Sequence, residues 1–68
     1  MSEIVRDPQI LGGVPVFKGT RVPIRNLFDY LVGGSTTAEF LDDFPTVTIE
    51  QVRQVLQAAE HAVEEKAA

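Results

Sequence analysis

Arg21-Val22-Pro23-Ile24-Arg25-Asn26-Leu27-Phe28-Asp29-Tyr30-Leu31-Val32-Gly33-Gly34 is the stretch in which the chain changes period. From Ile24 the apolar residues Ile24, Leu27, Phe28, Leu31 and Val32 recur at i, i+3, i+4, i+7 and i+8, one face of an α-helix. Gly33-Gly34 stops that helix, because glycine readily takes the left-handed conformation just past a helical end.

Downstream, two more helices are signalled. Thr36-Thr37-Ala38-Glu39 fits a capping box, in which a hydroxyl and a carboxylate each satisfy an orphan amide. Its stripe is Thr37, Phe40, Leu41 and Phe44, and Pro45 ends it. Thr48-Ile49-Glu50-Gln51 is a second capping box, with Val47 and Val52 placed as a hydrophobic staple. The third stripe runs Ile49, Val52, Leu56, Ala59 and Val63, widened by Val55 and Ala62. It thins to alanines and one valine after Leu56, so that end either packs on a partner helix or frays, and fraying is expected over residues 64–68.

Upstream, β-branched residues alternate with turn formers. Val14–Phe17 reads as a short strand, Lys18–Thr20 as a turn around Gly19, and Arg21–Val22 as a second extended piece, together a β-hairpin. Residues Glu3–Arg6 offer a further strand, stopped by Asp7-Pro8. Pro15 and Pro23 lack an N–H, which predicts edge strands. The expected fold is mainly α: an N-terminal hairpin arm over residues 1–23, then a three-helix, homeodomain-like or helix-turn-helix bundle over 24–68, all one domain. The expected core is Phe17, Val22, Ile24, Leu27, Phe28, Leu31, Phe40, Leu41, Phe44, Ile49, Val52, Val55 and Leu56. Gly13, Gly19, Thr20, Gly34 and Pro45 are the expected structural turn residues.

Sixty-eight residues make a marginal domain. A chain of this size buries only about 60% of its unfolded surface, so small scaffolds usually carry a disulfide, a metal or a partner subunit. With no cysteine and a single histidine, His61, the remaining staple is a second molecule, and a homodimer is expected. No cofactor or metal is expected. No apolar run approaches the roughly 20 residues of a membrane span, and the start, MSEIVRDPQ, does not resemble a signal peptide. The default location is therefore cytoplasmic.

Charge is unevenly placed. Residues 1–25 hold four cations against two acids, a net +2, while residues 26–68 hold two cations against eight acids, a net −6. Two surfaces for two kinds of contact would use such a division, although solubility alone would also account for it. Catalysis finds little support, and the chain is read as a non-enzyme. His61 lies on the polar side of the last helix, and Asp42-Asp43 are neighbours that do not face each other on a helix. Neither glycine pair is followed by a phosphate-cradling motif. For DNA, the third helix offers Arg53, Gln54 and Gln57, side chains that can bond base edges, though Glu50 shares their face. The arm offers Lys18, Arg21 and Arg25 around the Gly19 turn, a basic ribbon of the kind that enters a groove. A solvated turn carrying routine surface charge accounts for the same three residues.

Asp7-Pro8, the run Gly13-Val14-Pro15-Val16-Phe17-Lys18-Gly19-Thr20-Arg21-Val22-Pro23, Leu27, Leu31, Gly34-Ser35, Phe44-Pro45 and Thr48–Val52 resemble domain of unknown function 433, whose members are treated as VapB-type antitoxins. The resemblance covers about residues 4–60, and Gly13 to Pro23 carries its hallmark G-x-P-[VI]-x-x-G-T-R-[IV]-P. It implies a hairpin followed by a homeodomain-like trihelical unit, usually dimeric. It also implies an antitoxin of a type II toxin–antitoxin pair, which neutralises a PIN-like ribonuclease toxin and often binds its own promoter. The mechanism expected is docking of the acidic helical half on a basic toxin surface, or entry of Arg21 or Arg25 into the toxin's acidic metal site. A DNA-binding regulator without a toxin, and a structural dimeric interaction module, are the alternatives.

Overall fold

A computed structural model describes residues 3–67, and Met1, Ser2 and Ala68 lie outside that range. Two short strands, β1 (Ile4–Val5) and β2 (Val16–Phe17), precede three helices: α1 (Ile24–Val32), α2 (Thr37–Asp43) and α3 (Ile49–Ala67). The chain is mainly helical, with a small antiparallel sheet at its N-terminal end, as expected.

The pairing within the arm differs from the expected hairpin. The regular ladder joins β1 to β2, with Ile4 opposite Phe17 and Val5 opposite Val16. The Arg21–Pro23 segment lies on the other side of β2. It contributes one bridge, Val16 to Pro23, with the Phe17 N–H donating to the Val22 carbonyl and the Ile24 N–H to the Pro15 carbonyl. Val16–Phe17 is therefore the central ribbon and not an edge. Pro15 is tolerated there because it stands just before β2, where a missing donor removes no ladder bond, and its carbonyl is still used. Val14 falls outside the strand and is exposed.

Helix boundaries follow the predicted chemistry. Thr36 caps α2 with the full box: the Glu39 N–H donates to Thr36 Oγ1 at 3.1 Å, and the Thr36 N–H donates to Glu39 Oε1 at 2.7 Å. Thr48 and Gln51 repeat the arrangement at α3. After α1, Gly34 has φ +96°, the Ser35 N–H reaches the Tyr30 carbonyl and the Gly34 N–H reaches Leu31. This pattern is a Schellman ending, which explains the glycine pair.

The core holds Val16, Phe17, Ile24, Leu27, Phe40, Val47, Val52 and Val55, with Val22, Phe28, Leu31, Leu41, Phe44 and Leu56 half-buried against it. Ile49, expected inside, is 50% exposed. Helix α3 docks through Val52 and Val55, one turn further on, while Val47 fills the space before the helix as the staple residue. An aromatic group joins the layers. Phe40 stacks between Phe17, at 5.9 Å, and Phe44, at 4.9 Å, while Tyr30 meets Phe40 edge-on at 5.4 Å.

The predicted fraying of 64–68 is not seen within the described residues: α3 continues to Ala67. Alanine, glutamate and lysine are strong helix formers, and His61 Nε2 lies 2.9 Å from Glu65 Oε2 across one turn. That extension nevertheless leaves the body. Every residue from Glu60 to Ala67 is exposed, and Val63 is 66% exposed.

Candidate functional site

The arm is organised by the Gly19 turn. Gly19 has φ +78°, a conformation costly for any other residue. Thr20 locks the turn from both sides. Its N–H and its hydroxyl both donate to the Phe17 carbonyl, at 3.0 and 2.8 Å, and its oxygen accepts the Val22 N–H at 3.0 Å. The Gly-Thr pair of the motif thus reverses the chain and leaves no orphan donor at Val22. Gly13 and Gly34 also have positive φ. Pro45 follows Phe44, whose φ and ψ have left the helical region.

Lys18 and Arg21 leave this turn toward different grooves. Lys18 lines a groove of about 370 Å³ with Glu3, Thr48, Glu50 and Gln51. Arg21 lines a neighbouring groove of about 520 Å³ together with Val5, Ile10, Val16 and Val22. Thr46 borders both. Arg25 stands on α1 and reaches Asp29 at 3.8 Å, both side chains solvated.

On α3, Arg53 Nη1 contacts Glu50 Oε1 at 3.2 Å, and Gln54 Nε2 reaches Glu50 Oε2 at 3.4 Å. Glu50 thus occupies both of the side chains best suited to read a base edge. Gln57 is exposed on the same helix.

Gln51 carries a role that no local pattern signals. Its Oε1 accepts the Thr48 N–H in the capping box, while its Nε2 donates to Glu3 Oε1 at 3.1 Å and to the Lys18 carbonyl at 2.9 Å. One amide therefore both caps α3 and clamps the arm to it. The box predicts the first function, but the second spans 33 and 48 residues of sequence and leaves no trace in it. Leu11 is likewise unsignalled by any local pattern. It has φ +52° and Gly12 φ +71°, with the Gly13 N–H bonded to the Ile10 carbonyl. This is a primed β-turn holding a 48%-exposed leucine in a backbone region that disfavours it.

Electrostatically the body is quiet. No buried side-chain polar atom lacks a partner, and no group of three or more His, Asp or Glu side chains converges as a metal site among the described residues. Tyr30 is perturbed. Its hydroxyl donates to Asp43 Oδ2 at 2.6 Å, and that bond to the carboxylate holds the phenol above its ordinary pKa. None of the helices is long and apolar enough to cross a membrane, among the described residues.

What stands out is geometric. The second half of α3 projects with no packing of its own, carrying Glu60, Glu64 and Glu65 against Lys66. Comparison with known proteins sets these features in a family. The model of a family described as "Protein of unknown function (DUF433)" matches residues 4–58. An uncharacterized protein of Sinorhizobium fredii, y4eO, is 34% identical over 50 residues, which is 74% of this chain and 23% of that protein. The matched region thus spans less than a quarter of the relative's length. No solved structure matches the chain.

Proposed function

The chain belongs to this DUF433 family, and on that premise we propose that it is a partner-binding module acting as the antitoxin of a toxin–antitoxin pair. Its docking element is the acidic end of α3, which engages a basic, RNA-binding surface of a PIN-like ribonuclease. One observation carries this reading: α3 is 19 residues long, yet its side chains from Glu60 onward are all exposed. An unpacked helical end is marginal in water, because helical stability comes mostly from packing an apolar face. A partner supplies that packing. The three glutamates fit a basic partner, since complementary charge speeds encounter and sets register. The family match ends at Ala58, so this end lies beyond the shared body and suits the choice of a particular partner.

The test is co-expression with a PIN-like nuclease encoded by a neighbouring gene. Expression of that nuclease alone arrests growth, the intact chain relieves the arrest, and a chain carrying Glu60→Lys, Glu64→Lys and Glu65→Lys fails to relieve it while staying folded by circular dichroism. Full relief by the triple variant would reject the α3 assignment, and no binding between the purified proteins would reject the antitoxin reading. The DNA-binding alternative draws on exposed Arg21, which has no acid partner among the described residues. It requires an affinity that falls steeply with salt and with Arg21→Ala.

A further inference from the structure

The turn that precedes β2 holds a leucine where leucine is disfavoured, and shows it to solvent. Leu11 and Gly12 have φ +52° and +71°, and the Gly13 N–H closes the turn on the Ile10 carbonyl at 3.0 Å. The first central position of such a primed turn suits asparagine, aspartate or glycine. The chain around it enforces the shape. The Asp7 side chain accepts the Gln9 N–H at 2.9 Å, and the Asp7 carbonyl accepts the Ile10 N–H at 2.8 Å. Ile10, just before the turn, lines the arm groove with Val5 and Val16. Leu11 itself is 48% exposed and is not among the residues packed on the core.

The body gains no packing from this arrangement, and asparagine would form the turn with less strain. Backbone strain that the surrounding structure enforces is concentrated at binding sites. The binding reading above also lacks an apolar contact. Exposed glutamates steer and align a basic partner, but salt screens them and exposed ion pairs hold little. Lasting affinity comes from apolar surface taken out of water, most of all on a group already fixed in place. Val63 stands on an unpacked helix end, whereas the backbone of Leu11 is fixed by the bonded turn. A lipid surface fits less well. One half-exposed leucine is no amphipathic face, and Glu3 and Asp7 offset the cations of the arm.

We propose that Leu11 is an apolar anchor for the protein partner, seated in an apolar pocket of the nuclease that the acidic end of α3 engages. The inference rests on the antitoxin reading and adds a second contact of different chemistry to it. The two contacts are well separated. Ile10 and Thr46 line the same groove, which places the turn near the start of α3. Glu60 lies eleven residues beyond Ile49, roughly 16 Å along the axis at about 1.5 Å per residue. Sites that far apart act independently, so the losses on changing each should multiply.

Calorimetry of the full chain with a purified PIN-like nuclease encoded by a neighbouring gene, at low and at high salt, tests the proposal. Leu11→Asn is expected to weaken binding by about tenfold at both salt concentrations, since the lost contact is apolar. The same variant unfolds at an equal or higher urea concentration than the parent, because Asn-Gly is the preferred pair for this turn. Leu11→Met keeps an apolar side chain and stays within about threefold of the parent. Glu60→Lys with Glu64→Lys and Glu65→Lys weakens binding chiefly at low salt. Parent-like binding by both Leu11→Asn and Leu11→Gly overturns this inference and leaves the antitoxin reading standing. No binding by the parent rejects that reading and this inference with it. A loss of stability in both variants would mean that the leucine serves the body, and would overturn the inference. So would co-sedimentation with vesicles of phosphatidylglycerol and phosphatidylcholine that disappears on Leu11→Asn while nuclease binding persists.

Discussion

At the residue scale, two side chains show how single positions carry backbone chemistry. Leu11 holds φ +52° with its side chain half in solvent. A left-handed conformation costs a non-glycine residue about 1–2 kcal/mol. Leu11→Gly is therefore expected to raise stability by about 0.5–1 kcal/mol in urea unfolding, once the greater freedom of glycine in the unfolded chain is subtracted. A loss of stability would show that the leucine packs against something the body needs. Gln51 is the opposite case, a residue whose every polar atom is used. Gln51→Ala should cost about 1–2 kcal/mol, combining a lost cap with a lost tether. Gln51→Glu separates the two: it keeps the acceptor for the Thr48 N–H but sets a carboxylate against Glu3 and the Lys18 carbonyl. If the tether matters, Gln51→Glu stays destabilised; recovery to the parent value would reduce Gln51 to a cap.

At the element scale, α1 and α2 are joined by the aromatic group and by the Tyr30–Asp43 hydrogen bond. That bond needs the phenol protonated. The folded-state pKa of Tyr30 lies above its ordinary value, so the neutral form is favoured by folding. Its contribution is complete below about pH 10 and is lost as pH rises through the raised value. The chain has one tyrosine, so phenolate absorbance reports this group alone. The parent should titrate at higher pH folded than in urea, and Tyr30→Phe should lose the alkaline fall in stability attributable to this pair. Equal midpoints in the two states would show that the bond does not persist in solution. The strands teach a different lesson. Val14–Phe17 is recognisable as extended, but two segments compete to pair with it, and both succeed on opposite sides.

At the scale of the whole molecule, the body and the end of α3 separate energetically. The body carries the buried residues from Val16 to Val55, whereas residues 60–67 bury no side chain. A chain ending at Ala59 should unfold within about 0.5 kcal/mol of the parent, the usual range for changes that touch no packing. The antitoxin proposal requires that this shortened chain also lose binding to its nuclease partner, measured by calorimetry. A large loss of stability would mean that the helix end supports the body in a way its exposure does not suggest.

The local rules were legible in the sequence because each acts over a few residues. The 3.6-residue stripe of Ile24–Val32, the boxes at Thr36 and Thr48, the Gly33-Gly34 ending and the Gly19-Thr20 turn depend on neighbours in the chain and form as read, except that Val32, at the end of the α1 stripe, is 89% exposed. The family, too, was visible in the run Gly13–Pro23. Only the tertiary structure decided that β1 pairs with β2, that Ile49 faces water while Val16 and Val47 are buried, that Glu50 engages Arg53 and Gln54, and that Gln51 clamps the arm. These depend on contacts between distant segments, and periodicity states which face of an element is apolar but not which turn of that face meets the body.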